Sequence, residues 1–263
     1  MPPSLKVCTL SLLNLVASSQ TTLSKEGDVL FQEDFNKESS GFAKRLISKK
    51  QVHLAKGKGP DGSDAIRVDY VGYSRGSERV VMGHPLKKKV TSATLSFDVM
   101  FDDKFQWVLG GKLHGLAPDQ SITGGKDRKP DGWSARIMFK EKGRCAYYLY
   151  DQDPKMTWGR EKTAQKPAFK SGKWQSVTLQ VKVNEAGKSD GFSKIIIDGK
   201  EINEARGIEF RGIDGPQTAI SQFLFSTFHG GHTERYAPKD SSRQFTTVHA
   251  YFDNFMVVEG TTP

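Results

Sequence analysis

The stretch Ser92-Ala93-Thr94-Leu95-Ser96-Phe97-Asp98-Val99-Met100-Phe101 alternates without a break. Leu95, Phe97, Val99 and Phe101 point one way and Thr94, Ser96, Asp98 and Met100 the other, the period of a half-buried strand. Trp174 to Val183 repeats the pattern, with Val177, Leu179, Val181 and Val183 on one side. Working outward, strands are predicted at Val29–Phe35, Ala65–Val71, Glu78–Met82, Gln106–Lys112, Trp133–Phe139, Arg144–Tyr150, Lys194–Ile197, Gln222–Phe228 and His249–Val258. Asp198-Gly199 after Ile195-Ile196-Ile197 is a tight hairpin turn. The 26 Gly and 11 Pro break the chain often, which suits many short strands better than long helices. Strands at this density predict an all-β fold of two packed antiparallel sheets. No repeat of fixed period is visible, and Ala117 to Asp131, rich in Gly, Lys and Asp, reads as a long exposed loop.

At 263 residues the chain is long enough to bury a substantial core. The formal net charge of +9 points to a polyanionic partner: nucleic acid, anionic membrane or acidic polysaccharide. The N-terminus narrows the choice. Lys6, the apolar run Val7 to Val16 and then Ala17-Ser18-Ser19 read as a secretory signal over residues 1–19, leaving one domain over residues 20–263. The run is too short to span a bilayer. The expectation is a secreted or periplasmic monomer that binds acidic polysaccharide rather than nucleic acid or membrane. With the signal removed only Cys145 remains, too few for an internal disulfide, and it reads as a small core residue.

Chemistry concentrates between Trp133 and Tyr150. Along the first strand Trp133, Ala135, Ile137 and Phe139 form the core side, so Ser134, Arg136 and Met138 share the other face. In the second, Ala146, Tyr148 and Tyr150 lie together. A three-residue loop Glu141-Lys142-Gly143, with Gly143 left-handed, would pair Lys140 with Arg144. Arg136 then faces Tyr148 and Ser134 faces Tyr150, with paired side chains about 5 Å apart. A four-residue loop would slip the register by one and separate the two sets. Tyrosines packed on an arginine are also ordinary cover for a sheet face.

Two further segments add weight. Gly110-Gly111-Lys112-Leu113-His114-Gly115-Leu116 holds a lysine between glycines that allow close approach of a ligand. Phe225-Ser226-Thr227-Phe228-His229-Gly230-Gly231 runs into a flexible turn, followed by Tyr236-Ala237-Pro238 and Tyr251-Phe252-Asp253-Asn254-Phe255. These segments, with Asp131-Gly132-Trp133-Ser134-Ala135-Arg136 and Tyr148-Leu149-Tyr150, resemble polysaccharide lyase family 14, in order, from about Val29 to Glu259. That family includes alginate and glucuronan lyases. The resemblance implies a β-jelly-roll with a concave cleft, the essential Lys at Lys112, the Ser and Arg at Ser134 and Arg136, and the tyrosine pair at Tyr148 and Tyr150. His114, His229, Gly230 and Tyr236 are expected to contact substrate. His114 stands where Pro is frequent in the family, and the loop before Ser134 has its own composition; both departures bear on substrate preference more than on chemistry.

β-Elimination at a uronate removes a weakly acidic C5 proton, which becomes more acidic once the adjacent carboxylate is neutralised. His229 and His232 lie three apart in a Gly-rich turn, a poor metal site, so no metal or other cofactor is expected. Arg136, able to grip a carboxylate with two N–H groups, and Lys112 are the expected neutralisers. A tyrosine, with a reference pKa of about 10, is a weak base at neutral pH, and these cations are expected to lower that value. Tyr148 or Tyr150 would then act as base and acid, with Ser134 holding substrate or orienting a tyrosine. Lys126, Arg128, Lys129, Arg160 and Lys162 are candidates for a groove that follows successive uronates. The alternatives are a non-catalytic binding module for acidic polysaccharide and a glycoside hydrolase; the latter needs two facing carboxylates, which the hairpin face lacks.

Overall fold

The computed structural model describes residues 27–36 and 40–261; the signal expected over residues 1–19 lies outside them. In chain order the elements are β1 (Val29–Glu33), α1 (Gly41–Ile47), β2 (Val52–Ala55), β3 (Ala65–Tyr73), β4 (Gly76–Ser77), β5 (Val80–Val90) and β6 (Ser92–Phe101). Next come β7 (Gly111–Ala117), β8 (Gln120–Ser121), β9 (Gly132–Phe139), β10 (Arg144–Tyr150) and β11 (Arg160–Pro167). The last are β12 (Trp174–Lys182), β13 (Gly191–Ile197), β14 (Lys200–Ile208), β15 (Ile220–His229) and β16 (Thr247–Glu259).

One sheet runs β14-β13-β12-β6-β16-β3-β2, with β1 added on β16 and β4 on β3; the other runs β11-β10-β9-β7-β15-β5, with β8 on β9. Every pairing is antiparallel except β8 with β9. The alternation that predicted β6 decides its packing: Leu95, Phe97, Val99 and Phe101 are fully buried. They meet Ile137, Phe139, Phe223 and Phe225 of the opposite sheet in one core. The arrangement is the expected jelly-roll sandwich. Five strands are absent from the sequence prediction: the two-residue β4 and β8, and β2, β11 and β14, the last two rich in charge. β11 is an edge strand, where charged residues discourage pairing with another chain.

One predicted strand moves. Gln106–Lys112 is not a strand ending at the lysine. Val108 and Gly110 have φ of 40° and 115°, so the chain turns there, and β7 begins at Gly111. A bulge follows at once. Lys112 pairs with Met138 and Gly115 with Arg136, three steps on β7 against two on β9. A bulge of this kind re-aims side chains: Leu113 and His114 both go inward, with Gly115 beside Arg136.

Where β16 crosses β6, Asp253 lies opposite Asp98. Asp253 has no exposed surface, and burial pushes its carboxyl up to about 6 although Ser63 donates a hydrogen bond to it. An acid whose pKa is raised on folding favours the fold below its unfolded value of about 3.9, and that contribution is lost as pH rises through the folded value. Asp253→Asn is therefore expected to raise Tm at neutral pH, with the gain gone below about pH 4. Thermal melts at the two pH values check this.

Candidate active site

The hairpin forms in the convergent register. Lys140 N–H donates to the Arg144 carbonyl at 2.8 Å, and Gly143 has φ of 72°. Tyr148 therefore pairs with Arg136, and Tyr150 with Ser134. Lys112 joins this face from β7 through its pairing with Met138.

The cleft, about 540 Å³, is lined by Lys112, Arg136, Met138 and Tyr148 at its floor and by Trp158, Gly159, Gly230, Gly231, His232 and Tyr236 on loops above. The Lys112 ammonium lies 3.5 Å from the Tyr148 ring centroid and 3.0 Å from the Met138 sulfur. The Arg136 guanidinium lies 5.5 Å from the same ring centre. Arg136 is buried, and its Nε has no hydrogen-bond partner among the described residues. Burial and the neighbouring Arg136 charge hold Lys112 well below the usual ammonium range. Burial also lowers Arg136.

Tyr148 departs from the sequence expectation. Burial, and then its hydrogen bond with Tyr150, push its phenol above the ordinary value; the opposing pull of Arg136 is smaller. Its oxygen accepts the Gly159 N–H at 3.2 Å and lies 3.4 Å from the Tyr150 hydroxyl. The two tyrosines are not equivalent. Tyr148 lines the cleft, whereas Tyr150 is fully buried and its oxygen accepts the Gly125 N–H at 2.8 Å.

Ser134 is also fully buried. Its hydroxyl donates to the Ile122 carbonyl at 2.6 Å, tying down the loop that carries Gly125. It stands with the tyrosines in register but does not line the cleft.

Two expected substrate contacts are corrected. His114 has no exposed surface; the bulge turns it into the core, its ring centroid 4.7 Å from Phe97 and 4.4 Å from Phe225. The Ser226 N–H donates to its Nδ1 at 3.2 Å, and burial alone keeps it neutral, well below the usual histidine range. His229 faces the core too, stacked on Phe105. Its Nε2 donates to the Gln106 carbonyl at 2.7 Å, and burial pushes its pKa down to about 4. Alternation on β15 accounts for this, since His229 shares the inward face with Phe223 and Phe225. Gly230 and Tyr236 do line the cleft. Gly231, at φ of 156°, lies so close under the Tyr236 ring that a Cβ there would sit 2.1 Å from it.

The expected groove cations are elsewhere. Arg160 is occupied by Asp151 and Asp153 at 2.6 and 3.0 Å, and none of Lys126, Arg128, Lys129, Arg160 or Lys162 lines the cleft. Arg75 and Arg79 do, together with Trp158 and His232, whose rings are 5.0 Å apart. Arg75 and Arg79 escaped the sequence reading because they sit on the short β4 hairpin, far in sequence from every motif. The Arg79 guanidinium lies 5.3 Å from the Phe228 ring centre, within the cleft wall.

A sandwich whose sheet presents a lysine, an arginine and a tyrosine in one cleft, with the one carboxylate among its lining residues, Glu161, held by Lys140 at 2.8 Å, has the arrangement of a polysaccharide lyase. The profile of the family described as Polysaccharide lyase 14 matches residues 63–255, and the chain belongs to that family. Among solved structures, the alginate lyase Aly36B, in a doubly substituted form with an alginate tetrasaccharide, superposes with a TM-score of 0.71 at 20% identity, covering 91% of this chain and 100% of that one. The marine PL-14 alginate lyase from Aplysia kurodai gives 0.68 at 22% identity, over 89% and 100%. The endo-β-1,4-glucuronan lyase of the fungus Trichoderma reesei gives 0.53 at 14% identity, over 81% and 89%. No curated protein sequence matches the chain.

Proposed function

We propose that this lyase cleaves a 4-linked uronate polysaccharide, alginate or glucuronan, by β-elimination without a metal. The observation that carries the reading is Arg136: a buried guanidinium lining the cleft beside Lys112, with an Nε that no group among the described residues satisfies. An unpaired buried cation is costly, and a uronate carboxylate is the anion whose neutralisation the reaction needs. Structural neighbours named as alginate and glucuronan lyases support the substrate class.

Burial pushes the two proton-handling groups in opposite directions, which separates acid from base. Lys112, held toward its neutral amine, takes the C5 proton. Tyr148, held as a phenol, gives its proton to the C4 oxygen as that bond breaks and the C4–C5 double bond forms. In a second reading Tyr148 performs both steps. The Gly159 N–H and Arg136 favour that reading, because both lower the cost of its phenolate.

Incubating the protein with alginate and glucuronan should raise the ultraviolet absorbance of unsaturated product on at least one of them, and a chelator should leave the rate unchanged. No rise on any uronan would instead support the binding-module reading. Export belongs to the same proposal and rests on the Val7–Val16 run; N-terminal sequencing of the exported protein should begin after Ser19.

Arg75 and Arg79, both exposed in the cleft wall, would hold neighbouring carboxylates of the polymer. Arg79→Ala is expected to raise KM by about fivefold at most, the equivalent of ~1 kcal/mol for an exposed ion pair, with kcat nearly unchanged. Initial rates over a range of uronan concentrations measure this.

A further inference from the structure

Arg128 has the composition of a groove cation and the position of something else. Its guanidinium lies 4.6 Å from the Tyr150 ring centre and donates to the Trp158 carbonyl at 3.0 Å, while its Nε and Nη1 are buried without partners among the described residues. It thereby joins the two loops that cover the tyrosine pair. The loop bearing Arg128 also supplies the Gly125 N–H to the Tyr150 oxygen at 2.8 Å. The loop ending at Trp158 leads directly into the Gly159 N–H, which reaches the Tyr148 oxygen at 3.2 Å. The Trp158 indole packs on bare Gly125 backbone, where a Cβ would meet it at 2.6 Å, so the loops also touch directly.

We propose that Arg128 is a positioning residue: its guanidinium, stacked on Tyr150 and bonded to Trp158, fixes the Gly159 N–H that orients the Tyr148 hydroxyl. The inference rests on the lyase reading of Tyr148 but not on the identity of the uronan. Arginine suits the task because its flat, delocalised cation stacks on a ring face while an in-plane N–H reaches a carbonyl; a lysine ammonium has no such plane. Two buried N–H groups without partners are a cost that loop packing alone does not explain. Displacing Gly159 would turn the Tyr148 proton away from the reacting oxygen, and misplacement of about 1 Å from a remote change costs on the order of 10²-fold in rate.

The test compares Arg128→Met and Arg128→Lys in the full-length protein by amide hydrogen exchange and by steady-state kinetics. Faster exchange of the Gly159 amide is expected in both variants, with kcat lowered by about 10²-fold in the methionine variant and KM little changed. The lysine variant keeps the charge but not the plane, and should recover little of the lost kcat. A rise in KM with kcat intact, reversed by lysine, would make Arg128 a substrate contact and overturn the proposal. Unchanged Gly159 exchange would overturn it whatever the activity. If the wild type cleaves no uronan, the lyase reading fails on its own, and exchange still decides whether Arg128 holds the loop.

Discussion

Tyr148→Phe is expected to lower kcat by about 10²- to 10⁴-fold, the usual worth of a positioned proton donor, with product formation followed by ultraviolet absorbance. The substitution removes the hydroxyl and little else. The ring stays against Lys112, and the lost contacts are those to the Gly159 N–H and the Tyr150 hydroxyl. KM should change little, because carboxylate recognition is assigned to Arg136 and its neighbours. Tyr150→Phe should cost less, since that hydroxyl is buried on the Gly125 N–H and does not line the cleft. Full activity in the Tyr148 variant would remove tyrosine from the chemistry, and equal losses in both would mean that the pair acts as a unit.

Lys112→Arg carries the second large effect. Arginine keeps a cation in the cleft but does not release its proton in proteins, so a loss of about 10²- to 10⁴-fold in kcat is expected if the amine accepts the C5 proton. Retained activity would reduce Lys112 to an electrostatic role and return both proton transfers to Tyr148. The pH profile separates the same alternatives. The Lys112 pKa is lowered by burial, so its neutral fraction, and with it kcat/KM, should rise as pH passes that lowered value and then level off. The raised Tyr148 phenol keeps its proton well into alkali, which postpones the falling limb. A rate that keeps climbing through the alkaline range would identify the phenolate as the base.

Strand patterning was readable where side chains alternate against one core. Ser92–Phe101 and Arg144–Tyr150 form the predicted strands residue for residue. Gly143 also made the hairpin register readable, because a left-handed residue at that position suits the three-residue loop that pairs Arg136 with Tyr148. Strand prediction failed at Gln106–Lys112, where the chain turns at Val108 and Gly110 and β7 begins only at Gly111, and the bulge that follows leaves no mark in composition. The direction of the Tyr148 pKa shift was misjudged because of burial. Nearby cations are visible in a sequence, but the desolvation that outweighs them depends on how loops close over the hairpin. Arg128 shows the same limit, as a charged loop residue that the fold stacks behind a tyrosine.

The extra residue in β7 also bears on how relatives of this lyase are to be compared. Position 114 lies two residues from Lys112 and invites use as a marker of substrate preference. Its side chain answers to Phe97 and Phe225 instead. A bulge is also one of the few places in a sheet that accept proline, so a Pro-to-His exchange there is a change of joint and lining. Differences in specificity are expected instead at the positions of Arg75, Arg79, Trp158 and His232, which line the cleft and carry no strand pairing of their own.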